Sequence, residues 1–178
     1  MVTVFALLAA LLVATPASAG PGDVGDDAAA TDAAEKSPFS KKPRRAQPRS
    51  DLSDDLLALL PWRGIYAAGR GVTAPAWRVV VTAEGDLRAG SNPKPGSSPI
   101  ALVDRKRRKV TPPVLAELIK LADRAWREKR TAVVADPENA EVLIIVDGAD
   151  VFQLDAGGPL TTGAAGQLMA RLKAEAAH

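Results

Sequence analysis

Five consecutive cationic side chains, Arg105-Lys106-Arg107-Arg108-Lys109, are the most conspicuous chemical feature of the chain. A run of this density attracts phosphate or carboxylate polymers, with an affinity that falls steeply as salt rises. Arg124, Arg127, Lys129 and Arg130 follow it. From Arg105 to Arg130 there are ten bases and three acids, whereas Thr131 to Ala170 holds six acids and no base. The near balance of 23 Lys+Arg against 21 Asp+Glu therefore hides a basic middle and an acidic stretch after it. A solvated hairpin tip or helix entry accounts for the same run without a ligand, and both readings stay open.

The acids Asp136, Glu138, Glu141, Asp147, Asp150 and Asp155 lack the alternating ligand ladder of an EF-hand loop. Asp147-Gly148 is explained by a hairpin turn alone. A hydrolase built on paired carboxylates needs two acids across a cleft, and the spacing nominates no particular pair. There is no cysteine, and the one histidine is His178, the last residue. Those counts exclude disulfides and thiolate chemistry, and leave no histidine set for a serine triad or a metal centre. Gly69-Arg70-Gly71 lacks the strand-loop-helix setting of a phosphate loop and reads as a bend. Trp62, Trp77 and Trp126 suit either a ligand shelf or the core. Trp126 falls on an apolar helix stripe, whereas Trp62, between Pro61 and Arg63, is the one whose exposure needs checking. The candidate binding residues are thus Arg105, Lys106, Arg107, Arg108, Lys109 and Trp62. No catalytic residue, metal ligand or cofactor is expected.

Three regions must carry these residues. Residues 1–19 read as a signal peptide. An uncharged apolar centre of ten residues, Val4 to Val13, is followed by Pro16 and by Ala17-Ser18-Ala19, with cleavage before Gly20. The centre is too short for the ~20 residues that span a bilayer. Residues 20–50 read as a disordered charged linker: acids from Asp23 to Glu35 precede Lys36, Lys41, Lys42, Arg44, Arg45 and Arg49, and almost no large apolar residue offsets the chain entropy. Residues 51–178 then form one domain.

Within it, Ser53 and the acids after it predict a short helix ending at Pro61. Residues 62–75, rich in glycine and alanine, predict a loop. Trp77 to Thr82 and Leu87 to Gly90 predict a hairpin around Glu84-Gly85-Asp86. Ser91 to Pro99 predicts irregular chain, and Ile100 to Asp104 a short strand. Thr111-Pro112 opens a long helix with Val114, Leu115, Leu118, Ile119, Ala122, Ala125 and Trp126 on one side. A second hairpin spans Val142 to Leu154 across Asp147-Gly148. A last helix runs from Thr161 or Thr162 to about Ala174, with Ala165, Leu168, Met169 and Leu172 inward. The expected fold is α+β: an antiparallel sheet of two hairpins with two main helices on one face, in a ββα-ββα layout.

Residues 74–90, APAWRVVVTAEGDLRAG, resemble the opening of a group of small exported bacterial domains of unknown function. Their first strand follows a Cys-Pro-x-Tyr motif and enters a glycine-turn hairpin. Pro75, Trp77 and Gly85 match the proline, aromatic and turn positions, while Ala74 replaces the cysteine and removes any role it has. The stretch ADPENAEVLIIVDG, with Asp136 and Gly148, is similar to that family's second hairpin. The layout is also similar to emfourin-like inhibitors of bacterial metalloproteases. The resemblances cover about residues 74–172 and imply an architecture but no functional residues. The expectation is an exported, non-enzymatic binding domain, possible in protease-inhibitor form. Its partner would be an envelope or secreted protein, or an anionic envelope polymer held by residues 105–109. A small carboxylate hydrolase is the alternative. Nucleic acid is not an expected partner of an exported chain, and no transmembrane span is expected after signal cleavage.

Overall fold

Alternation of β-branched and small residues builds most of the sheet. The computed structural model describes residues 46–128, 135–155 and 157–177. The expected signal segment, linker residues 20–45, and Lys129 and Arg130 lie outside them. In chain order the elements are β1 (Gln47–Pro48), α1 (Asp54–Leu57), β2 (Arg63–Gly71), β3 (Pro75–Thr82), β4 (Asp86–Pro95), β5 (Lys106–Lys109), α2 (Pro112–Arg127), β6 (Asn139–Asp147), β7 (Asp150–Asp155) and α3 (Gly163–Ala177). The strands form one antiparallel sheet in the order β1-β7-β6-β2-β3-β4-β5. The fold is α+β. No helix among the described residues is long and apolar enough to cross a membrane.

The two expected hairpins are β3–β4 and β6–β7. Val81 opposes Leu87 in the first, and Asp147 opposes Asp150 in the second. Gly148, at φ +66°, turns the second hairpin in the left-handed region that glycine adopts without strain. Thr111 and Pro112 start α2 as expected. Leu118, Ala122, Ala125 and Trp126 are buried, with Leu121 added to the stripe, and Trp126 stacks on Phe152 at 5.8 Å between centroids. Leu168, Met169 and Leu172 of α3 are buried beside them. Both main helices pack on the sheet face carrying Ile65, Val79, Val81, Leu143 and Ile145.

Four expectations need correction. Residues 62–75 are not a loop: β2 is the middle strand of the sheet, paired to β3 from Gly64↔Thr82 to Gly69↔Trp77 and to β6 from Arg63↔Asp147 to Gly71↔Asn139. Its small residues are a packing requirement. A Cβ on Gly69 would stand 2.2 Å from Trp77 Nε1, because the indole lies against that backbone. Secondly, β4 continues to Pro95; its distal half has no neighbour beyond β3, so its prolines interrupt no ladder there. Thirdly, Ile100 to Asp104 is not a strand. Pro99–Ala101 is a 3-10 turn, and the strand is the basic run itself. Fourthly, Gln47 and Pro48, within the expected linker, pair with Val151 and Asp150.

The face opposite the two long helices is covered as well. Leu52 and Leu60, from the segment around α1, bury against Tyr66, Ala68, Val80, Ile144, Val146 and Val151. Each fully buried aliphatic side chain stabilises by ~1.5–3 kcal/mol, so this short segment is a substantial second layer. Arg49 fixes its ends, donating to Pro61 O at 2.9 Å through its guanidinium and to Ala149 O at 2.9 Å through its backbone N–H.

Candidate functional site

The basic run forms β5, an edge strand, and the period of two divides its side chains between the faces. On the long-helix face, Lys106 Nζ donates to the last carbonyls of α3, Ala176 O at 2.9 Å and Ala177 O at 2.8 Å. Arg108 pairs with Glu175 at 2.5 Å. Cations at a helix C-terminus are stabilising there. Lys109 lies 3.5 Å from the Asp86 carboxylate. Arg105 and Arg107 are exposed and have no ion pair among the described residues. The run is therefore not one uniform patch. Charge on an edge strand also discourages pairing with other chains.

Trp62 is 65% exposed, but it is not with the basic run. It precedes β2 and covers the β6–β7 turn, where its carbonyl accepts from Gly148 N at 2.9 Å. The Arg49 guanidinium lies 5.6 Å from its ring centroid. Strands β2, β3 and β4 separate β5 from β6 in the sheet order.

The acids are dispersed into local roles. Asp147 pairs with Arg63 at 3.3 Å, Asp136 accepts from Asn139 Nδ2 at 2.9 Å, and Asp155 accepts from Gly157 N at 3.2 Å. Glu141 is buried on the long-helix face, where it pairs with Lys173 and accepts from Leu160 N at 2.9 Å.

A cleft that the sequence did not signal lies on the other face. Its volume is about 360 Å³. The floor is Tyr66 and Ala68 of β2 with Val142 and Ile144 of β6. Leu56 closes one side and the chain from Gly96 to Ile100 another; Arg70, Gln153 and Asp155 stand at its polar parts. The register places Gln153 opposite Ile144 and Asp155 opposite Val142, so these residues share one face.

The 96–100 wall is positioned by a buried arginine. Arg78 is 2% exposed. Its guanidinium donates to Pro99 O at 3.1 Å, Ile100 O at 3.0 Å, Leu102 O at 2.7 Å and Asp104 Oδ1 at 2.6 Å. A planar five-donor fork suits such convergent acceptors, and Asp104 balances the buried charge. The clamp, together with the 3-10 turn at Pro99–Ala101, holds residues 99–104 in place of strand pairing.

Tyr66 is the cleft's most informative residue. It is 1% exposed, yet its hydroxyl makes no hydrogen bond to a described residue. The sealed polar side-chain atoms without a hydrogen bond among the described residues are Arg78 Nε, Asp123 Oδ1 and Arg171 Nε, the last within 3.3 Å of the Glu117 carboxylate. The Tyr66 hydroxyl is not one of them, so it is reachable from the cleft. Burial raises its pKa, and the nearby Arg78 charge opposes that rise only in part. The phenol is therefore a neutral donor at ordinary pH. A lone tyrosine in a glycine- and alanine-rich stretch carried no sequence signal.

Chemically, the cleft has an apolar floor, one buried hydroxyl, and exposed side chains of each sign, Arg70 and Asp155; the Gln153 amide at its edge accepts from Gln47 Nε2 at 3.3 Å. Such a composition orients a ligand. No protein-family model, curated protein or solved structure matches the chain.

Proposed function

We propose that the chain is an exported, non-enzymatic binding domain that captures a ligand or partner segment in the cleft over β2 and β6. The observation that carries this reading is the buried Tyr66 with an unused hydroxyl on the cleft floor. That hydroxyl has no acceptor among the described residues, so a bound acceptor can take its hydrogen bond, at about 0.5–1.5 kcal/mol net. The cleft volume also falls within the ~300–1,000 Å³ range of small-molecule pockets.

Titrating the ¹⁵N-labelled full chain with a fragment library tests the reading. Shifts centred on Tyr66, Ala68, Val142 and Gln153, lost when Val142→Trp fills the part-exposed floor, are expected. A library that leaves those amides unmoved refutes it. Export is tested by intact mass: a product starting near Gly20 supports it, and retained Met1 removes it.

The exposure of Arg105 and Arg107 favours a second reading, an anionic envelope polymer along β5. Elution of the full chain from a polyanion column above physiological salt, reduced by Arg105→Ser with Arg107→Ser, is its expected signature. Elution below physiological salt counts against it.

A further inference from the structure

The charges at the cleft suggest what lies in it. Arg70 belongs to β2 and is exposed at one part of the lining; Asp155 ends β7 at another. The register runs from Asp155 to Val142 to Ala68, and Arg70 lies two residues beyond Ala68 on the same face. Two strand spacings of ~4.8 Å and two rises of ~3.4 Å separate their Cα atoms by about 12 Å. No ion pair joins them, and neither has another among the described residues. Opposite charges thus flank the apolar floor without neutralising each other. One Asp155 oxygen accepts from Gly157 N at 3.2 Å, which aims the carboxylate and leaves its other oxygen available.

A second observation is independent of the charges. The Tyr66 hydroxyl, on the same floor, is buried and unpartnered. A ligand that satisfies all three groups needs an anionic end, a cationic end and an acceptor between them. It also needs an apolar body for Val142 and Leu56, the part-exposed apolar residues of the lining. The volume of about 360 Å³ admits roughly a dozen non-hydrogen atoms at ~30 Å³ each. An extended dipeptide spans at most ~7 Å, and the Arg70 and Asp155 side chains bridge the remaining ~5 Å.

We propose that the cleft holds a short zwitterionic peptide of dipeptide size with an aliphatic side chain, its carboxylate at Arg70, its ammonium at Asp155 and its carbonyl at the Tyr66 hydroxyl. This assignment rests on the capture reading above and deepens it. The side chain lies on Val142, beside Leu56. The wall at Gly96 to Ile100, held by Arg78, sets the width available to it.

The test uses the ¹⁵N-labelled full chain and four probes: Ala-Val, N-acetyl-Ala-Val, Ala-Val amide and Gly-Gly. Ala-Val is expected to shift the cleft amides to saturation. Acetylation and amidation should each weaken binding at least fivefold, and Gly-Gly should fail to saturate. Arg70→Gln should erase the difference between acid and amide, and Asp155→Asn the difference between free and acetylated peptide. Both positions are exposed, so these variants keep the fold. Tyr66→Phe should weaken Ala-Val and both capped forms alike, by about 2- to 10-fold. Equal binding of Ala-Val and both capped forms, or no binding by any of them, overturns the assignment. If uncharged aliphatic fragments still shift the same amides, the capture reading survives and only the zwitterion falls. If nothing shifts them, both fall.

Discussion

Replacing Arg78 by leucine should be among the most damaging single changes in the protein. The substitution keeps a buried side chain on the sheet but removes all four hydrogen bonds to residues 99–104. The bond to the Asp104 carboxylate is charge-assisted, worth about 1.5–3 kcal/mol. Leu102 O is buried, so losing its donor costs about 1–3 kcal/mol. Pro99 O and Ile100 O are only partly buried and recover water, at about 0.5 kcal/mol each. The contributions sum to about 3.5–7 kcal/mol. Relief of the desolvation of Arg78 itself subtracts from that, so a loss of about 3–5 kcal/mol is expected, as for other broken buried pairs. Urea unfolding of the wild type, Arg78→Leu, Asp104→Asn and the double variant measures it. The Arg78–Asp104 coupling should be about 1.5–3 kcal/mol. Amide exchange at Ala101 and Leu102, whose N–H groups close the 3-10 turn, should quicken more than exchange in β6. A loss below 1 kcal/mol, or a coupling near zero, would refute the clamp as the origin of the wall.

Gly69→Ala should destabilise by about 1–3 kcal/mol, because a Cβ there displaces the Trp77 ring; thermal unfolding and a shifted tryptophan emission report both effects. Tyr66 is the chain's one tyrosine, so its phenolate absorbance is a clean probe. Its folded pKa lies above the unfolded value of 10.0. The native state therefore holds the proton longer, and stability should be full below pH 10 and decline as pH rises above it. Phenolate forming at or below pH 10 in the native state contradicts this burial. Glu141→Leu should cost about 1–3 kcal/mol, since it strands the buried Leu160 N, whereas the half-exposed Lys173 ammonium recovers water; a neutral result in urea unfolding counts against that role. Glu128→Ala removes the carboxylate that accepts from Ala164 N at 2.8 Å in the first turn of α3, and should lower stability by about 0.5–2 kcal/mol, with faster exchange of the first amides of α3.

The elements that the sequence makes legible are those whose side chains speak for themselves. Thr111-Pro112 and the apolar stripe after it define α2, and Asp147-Gly148 between aliphatic runs defines the β6–β7 hairpin. The central strand β2 escaped because hydrophobic patterning registers large residues, whereas Ala67, Ala68 and Gly69 are small on account of what presses on them. The strand at 106–109 escaped because its charge pattern suits an edge and not a half-buried face. The same reasons govern the candidate site. The basic run and Trp62 stood out by composition, and the structure separates them. The cleft depends on Ala68 being short, on Tyr66 lying under a second layer, and on Arg78 reaching across to carbonyls 21 to 24 positions away. None of those relations has a local signature.

The place of β2 also constrains when the sheet can close. Its β3 side pairs with the next strand in the chain, but its other side waits for β6, which closes loops of roughly 70 to 85 residues. Until residues 139–147 arrive, the β2–β3–β4 meander carries a bare inner edge whose charges, Arg63 and Arg70, stand only toward its ends, with the buried-type residues 64–69 unguarded between them. Contacts this distant in sequence form late. For a chain emerging from a ribosome or a translocation pore, the interval between β2 and β6 is the period of greatest exposure to misassembly. A truncation after α2 should accordingly aggregate, even though most of its strands are present.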